Sequence, residues 1–271
     1  METKPELSIT KSDFKLYLEA PRHLWAKAHG IAGSTISDFE QHLSNQGMLV
    51  EALAREYIES LILPQNPNLE LLWQQTYLDG PFEARPDAIL FNRQTRQYTL
   101  YEIKSTTKLD AADEDDLCFQ AAILQNQMQF SHYYILHLNK EYCRGAALNL
   151  AELFTVADLT ETVQARLPEM LQLRQDALAA ANEPSFNNLG HCLAPNSCPC
   201  PAICHPDLPE FSIYDIPYLQ KKRKLELLEA GVHAAKDIPA GFKLNATQQR
   251  VAAMARTDLE QVSPAQIAAE L

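Results

Sequence analysis

The chain has 271 residues, 46% of them apolar, enough for one sizeable core or for one domain with a small appendage. Lys and Arg number 23 against 35 Asp and Glu, and the resulting net charge of -12 argues against a protein that simply coats nucleic acid. No run approaches the ~18 consecutive apolar residues of a membrane-crossing helix, and the start METKPELSITKSDFK lacks an apolar stretch behind a basic one, so a cytoplasmic chain is expected.

Residues 13–29 predict a helix capped by Ser12 or Asp13, with Phe14, Leu16, Tyr17, Leu18, Leu24 and Trp25 as its apolar faces. A longer helix over 37–63 opens at Ser37-Asp38 and is bounded by Pro64 and Pro67. Strand-like runs follow over 69–78, 82–91 and 97–104, the last two joined as a hairpin through 92–96. An acidic loop from Asp110 to Asp116 leads to a helix over 117–129, a buried strand over 133–138 and a long helix over 158–182. Residues 191–206 are proline-rich and aperiodic, which predicts a loop held by something other than a core. Helices are expected over 216–231 and 245–256, joined by a turn at Ala240-Gly241, and a short one over 264–270 starts at Ser263-Pro264. No repeat at a 20–50 residue period is evident. The fold class that follows is α/β: a small mixed sheet flanked by helices, with a cysteine-rich loop and a C-terminal helical appendage.

The chemistry concentrates in the expected hairpin. In Tyr101-Glu102-Ile103-Lys104 the strand period puts Glu102 and Lys104 on one face and turns Ile103 to the other. In Arg85-Pro86-Asp87 the carboxylate of Asp87 comes beside Glu102 if the two strands are neighbours. Two carboxylates with an ammonium beside them are costly to bury alone, and a divalent cation resolves that cost. Hard oxygen donors suit Mg2+ or Mn2+, which can polarise a phosphate and activate a water, while Lys104 orients that water or stabilises developing charge. An isolated E-x-K is commonly a surface ion pair; the Arg-Pro-Asp strand at hairpin spacing and the apolar residue between Glu and Lys add the specificity.

RPDAIL and YTLYEIKSTT resemble the PD-(D/E)XK nucleases of the RecB type, including the CRISPR-associated exonucleases that carry an iron-sulfur cluster. That resemblance implies a restriction-endonuclease-like core, with Asp87, Glu102 and Lys104 as catalytic residues. Gly47-Met48-Leu49-Val50-Glu51 is similar to the family's G-x-x-x-(H/E) helix motif, which implies Glu51 as a further metal ligand beside Asp87 and Glu102; read without the family, Glu51 is a solvated helix residue. Gln120 is similar to the Gln of the Q-x-x-x-Y motif that contacts the active site or DNA, and Leu124 stands where the Tyr would be. LHLNKEY, HCLAPNSCPCPAICH and LLEAGVHAAKDIPAGFKLNATQQ resemble bacterial proteins that join such a nuclease to a DEDD-exonuclease-like C-terminal domain. The resemblance implies a nuclease-like domain over 1–213 with an appendage or linker over 214–271, the chain ending at Leu271 as an N-terminal portion or short form. Its implied partners are DNA and a C-terminal nuclease domain or partner protein outside this chain.

Four of the six cysteines, Cys192, Cys198, Cys200 and Cys204, fall within thirteen residues, which in a cytoplasmic chain favours a metal over disulfides. The lone Cys118 and Cys143 are expected to be buried small hydrophobes. The family takes one cluster ligand from the N-terminal helix, where this chain has Ala20, and three from the C-terminal stretch; Cys200 is then the replacement that keeps four thiolates for a [4Fe-4S] cluster. Zinc, or no metal, are the alternatives. The basic run Lys221-Lys222-Arg223-Lys224 belongs to a stretch, 215–256, with eight Lys/Arg against four Asp/Glu; it is a solvated helix face or a phosphate-contacting patch. The function expected is a Mg2+- or Mn2+-dependent DNA nuclease acting on single strands or ends. The competing expectation is a DNA-binding or interaction module that keeps the nuclease fold with little or no catalysis.

Overall fold

Pro21 splits the first expected helix in two. A proline disfavours helical geometry in the residue before it, and Ala20 is extended at φ -161° and ψ 133°. Helix α1 (Lys11–Glu19) therefore ends there and α2 (Pro21–Ala28) begins. The computed structural model describes residues 7–31 and 38–257. At the start of α1 Thr10, rather than Ser12 or Asp13, is the cap: its hydroxyl and N–H donate to the Asp13 carboxylate at 2.7 and 3.0 Å, and the Asp13 N–H donates back at 3.3 Å. Helix α3 (Asp38–Tyr57) runs on through a π-type turn over Ile58–Ile62 and a short turn over Leu63–Gln65. Ser37 and the expected helix over 264–270 lie outside the described residues.

Strands β1 (Leu69–Trp73), β2 (Tyr77–Asp79), β3 (Phe82–Ala84), β4 (Ala88–Asn92) and β5 (Gln97–Lys104) follow. Each of the two longer strands expected over 69–78 and 82–91 is broken. Gln74 takes a left-handed turn at φ 47°, and Pro86 has no N–H to give a ladder. The acidic stretch opens helix α4 (Ala111–Leu124) instead of forming a loop: Asp110 caps it, with Asp113 completing a capping box. Carboxylates in a first turn also meet the positive end of the helix dipole. Strand β6 (Phe130–Leu138), the short α5 (Leu150–Leu153), β7 (Phe154–Asp158) and α6 (Thr160–Ala181) complete this part. Only one residue of β7 is fully buried, so its sequence shows no apolar alternation.

The chain divides into two compact units, Met1–Leu16 with Ser34–Asn182, and Tyr17–Gly33 with Glu183–Leu271. The boundary expected at 213/214 falls inside the second. In the first unit the strand order is β1-β4-β5-β6-β7, and β5–β6 is the parallel pair in an otherwise antiparallel sheet. Helix α4 makes the β5-to-β6 crossover that a parallel pair requires. The expected α/β fold, a mixed sheet flanked by helices, is the one the chain forms.

Strand alternation sorts the side chains. Ala88 and Leu90 of β4 share a face with Tyr101 and Ile103 of β5 and pack on Ala54 and Ile58. Leu117 to Leu124 of α4 are all buried, since α4 is packed against the sheet, α6 and the β2–β3 hairpin. Phe119 stacks on Phe14 with centroids 4.7 Å apart and meets the edge of Phe82 at 6.3 Å. Cys118 is buried, as expected; Cys143 is exposed, because it lies in the irregular stretch after β6 and not in an element.

In the second unit, α7 (Pro201–Cys204), α8 (Lys221–Glu229) and α9 (Ala246–Thr257) are joined by irregular segments. Helix α8 starts later than expected because Pro217 is followed by Tyr218 at φ 57°. Ile213, Ile216, Leu219, Leu227, Leu228, Ile238 and Ala252 form its core. A second cluster gathers Trp25, Ala26 and Cys200. Among the described residues no helix is long and apolar enough to cross a membrane.

Truncating Phe119, which is 0% exposed, to alanine should destabilise the chain by about 3–5 kcal/mol. Val156→Ala, at a side chain 39% exposed, should stay within about 0.5 kcal/mol. Urea unfolding of the two variants checks this, and equal losses would contradict the placement of α4 at the centre of the core.

Candidate functional site

The β4–β5 register decides the site. Ala88 faces Tyr101 in an antiparallel ladder, so one step outward Asp87 stands opposite Glu102 on the face away from Ile103. Glu102, 2% exposed, is surrounded by donors. Lys11 Nζ approaches its Oε1 at 2.6 Å and Lys104 Nζ at 3.1 Å, while Gln120 Nε2 donates to Oε2. Lys104 also donates to Asp116, which Lys15 Nζ meets at 2.9 Å, and lies 3.4 Å from Asp113. Asp87 accepts the Ile103 N–H at 2.7 Å, and Glu51 accepts from Gln74 Nε2 at 2.7 Å. Glu51, Asp87 and Gln120 line one cavity of about 380 Å³ with Thr10, Lys11, Ser12, Glu83 and Arg85.

These surroundings push the two central carboxyls apart. Burial, then the charges of Glu102 and Glu51, raise Asp87 to about 8, against the lowering by Lys11 and the Ile103 N–H. Burial would raise Glu102 too, but Lys11, Lys104 and the hydrogen bonds from Lys11 and Gln120 overcome it and hold it near 2. Burial works against the charge on Lys104, yet Glu102 and Asp116 raise its pKa, so it stays an ammonium.

The donor chemistry fits a hard divalent cation. Asp87, Glu51 and Glu102 offer oxygen donors, and among the described residues the buried Gln120 Oε1 has no hydrogen-bond partner. Such an ion would meet competition from Lys11, which already holds Glu102. All five residues expected from the sequence, Glu51, Asp87, Glu102, Lys104 and Gln120, are in one neighbourhood of the first unit. Lys11, Lys15 and Asp116 were not foreseen. The spacing of the lysines carried a signal, since residues four apart share a helix face. Leu124, where the resembled motif has Tyr, is 0% exposed and belongs to the core.

In the second unit His23, Cys192, Cys198 and Cys204 bring their ligand atoms within 4.8 Å of one another and can hold a metal ion. This set differs from the expected one by a single member. His23 of α2 stands in it and Cys200 does not; Cys200 is buried in the cluster with Trp25 and Ala26, against which Cys198 and Cys204 also pack. Cys200 Sγ still lies 4.0 Å from that of Cys198 and 3.6 Å from that of Cys204. A hydrogen bond from Cys204, then one from His23, hold Cys192 down to about 3 despite burial, and burial lifts Cys198 to about 12.

No family model matches the chain, and no curated protein matches it. Among solved structures it is similar to SSO0001, at 12% identity over 77% of this chain and 90% of that one, with TM-score 0.42. It is also similar to LHK-Exo in complex with dAMP, at 14% identity over 65% and 91% of the two chains, TM-score 0.40. A further structure of LHK-Exo, an alkaline exonuclease from Laribacter hongkongensis, matches at 13% identity over 63% and 90%, TM-score 0.32.

Between pH 4 and 8 the folded chain keeps a proton on Asp87 that the unfolded chain has released, so this group's contribution to stability falls as pH rises through that window. In chelator, the urea midpoint of the wild type should drop from pH 5 to pH 8 relative to Asp87→Asn, whose amide oxygen still accepts from Ile103. Midpoints that move in parallel would refute the shift.

Proposed function

We propose that the chain is a metal-dependent nuclease that hydrolyses DNA phosphodiester bonds, acting on single strands or ends, with the restriction-endonuclease-like core that its sequence resembles. The observation that carries this reading is the β4–β5 register. It sets Asp87, which lines one cavity with Glu51 and Gln120, against Glu102, with Lys104 on the same strand face as Glu102. Preference for strand ends rests on the resemblance alone.

Glu51, Asp87 and Glu102 are the residues that would hold Mg2+ or Mn2+, in competition at Glu102 with Lys11 at 2.6 Å. A bound ion of this kind polarises a phosphoryl oxygen and makes its water a better nucleophile. The chain supplies the remainder. Gln120 fixes the Glu102 carboxylate through its amide. Lys104, kept protonated by Glu102 and Asp116, places positive charge beside the reacting phosphate and stabilises the charge that develops there. Asp87 holds a proton that a cation would have to displace, so cation binding would tighten as pH rises toward 8.

One contact favours a second reading, a DNA-binding module with little or no catalysis: Lys11 sits 2.6 Å from Glu102 and neutralises it without a metal. Cleavage of single- and double-stranded DNA in Mn2+, in Mg2+ and in chelator separates the two. The nuclease reading expects cleavage only with metal, and a loss of about 100-fold or more in Lys104→Ala. Binding without metal-dependent cleavage establishes the second reading, and equal cleavage by wild type and Lys104→Ala removes Lys104 from the chemistry.

A further inference from the structure

The cysteine loop has a ligand that its own sequence does not contain. We propose that His23, Cys192, Cys198 and Cys204 hold one tetrahedral zinc ion, and that Cys200 stays outside its coordination sphere.

Spacing is the first argument. The four ligand atoms lie within 4.8 Å of one another, and His23 Nε2 is 3.5 Å from Cys198 Sγ. A tetrahedral ion with Zn–S bonds of about 2.3 Å sets its thiolates about 3.8 Å apart. A four-iron cube instead carries each thiolate on a different corner and spreads them further. The donor set is the second argument. Three thiolates and an imidazole make a closed structural zinc site, whereas iron-sulfur cubes are held by four thiolates.

The imidazole is already aimed. His23 is 2% exposed, and its Nδ1 faces the Glu19 carboxylate at 3.3 Å, leaving Nε2 toward the sulfurs. A carboxylate on the far nitrogen is the arrangement that fixes the tautomer of a zinc-bound histidine. Helix α2 is itself pinned: Trp25 Nε1 donates to the Glu183 carbonyl at 2.6 Å and Arg22 Nε to that of Leu189 at 3.2 Å. Cys200 Sγ lies 4.0 and 3.6 Å from those of Cys198 and Cys204, which pack on the same Trp25–Ala26 cluster, but it is not one of the four atoms that converge, and those four already fill a tetrahedral sphere. Charge agrees as well. Three thiolates on a divalent ion leave one net negative charge, and Lys221 and Lys224 line the cavity beside His23 and Cys192. Two lysines of the basic run thereby gain a role as counter-charges to the centre.

The full chain, purified anaerobically from cells supplied with iron and zinc, should carry one zinc per chain by elemental mass spectrometry. Cobalt substitution should give tetrahedral ligand-field bands with thiolate-to-cobalt charge transfer. Cys200→Ser should keep both, and His23→Ala should lose zinc to a chelator at least about tenfold faster. If His23→Ala fails to fold, His23→Cys serves: it should retain the ion and strengthen the charge-transfer band. About four irons per chain with acid-labile sulfide, loss of metal in Cys200→Ser, zinc retention in His23→Ala equal to wild type, or no metal at all would each overturn the assignment.

Discussion

A line of alternating charges, Lys11–Glu102–Lys104–Asp116–Lys15, runs through the first unit, and its most buried members are the two carboxylates, each 2% exposed. Ions removed from water cost several kcal/mol each unless their partners are well placed. The line meets this condition by drawing from three elements: α1 gives Lys11 and Lys15, β5 gives Glu102 and Lys104, and α4 gives Asp116. The N-terminal helix, the central strand and the crossover helix are therefore constrained together. A shift of β5 by one residue would exchange Glu102 for Ile103 and place a carboxylate in the apolar cluster on the opposite face.

The same line explains why Asp87 and Glu102, opposite each other in the ladder, differ so much as acids. Glu102 lies inside the line and meets two ammonium groups. Asp87 lies outside it and has one backbone N–H of its own, with Glu102 and Glu51 nearby. A pair of carboxyls driven apart in this way marks a place where positive charge is in short supply. Proton uptake supplies it at low pH, and under the proposed function a divalent cation would supply it once the proton is gone.

Sequence patterns revealed what depends on neighbours in the chain. The period of two in YTLYEIK put Glu102 and Lys104 together, and the hairpin turn brought Asp87 alongside; both follow from short-range geometry. Ala20 was less legible because the helical pattern of 13–29 continues through it, and only the steric rule for residues before proline breaks it. Strand β7 went unseen because four of its five residues are not buried. Lys11 meets Glu102 across 91 positions and His23 meets Cys198 across 175. No local pattern encodes such contacts, although Lys11 and Lys15 did share a helix face. The acidic stretch 110–116 was misread for a different reason: carboxylates that suggest a solvated loop are also those a helix start favours.

The two centres divide the chain's ligand chemistry by hardness. Oxygen donors that leave room for a substrate gather in the first unit, and sulfur donors with a single imidazole gather in the second. Each set is consistent with its own surroundings. The oxygen site opens on a cavity lined by charged and polar groups, as an exchangeable hard ion requires. In the sulfur site His23 and Cys192 are buried and Cys198 and Cys204 half-buried, with four protein donors that would leave no position open on a tetrahedral ion. In the second unit, residues 183–212 contain only short helical turns, so their own backbone hydrogen bonds do little to fix their path. The proposed tetrahedral centre would link α2 to three points of this stretch and so supply the constraint that periodic structure does not.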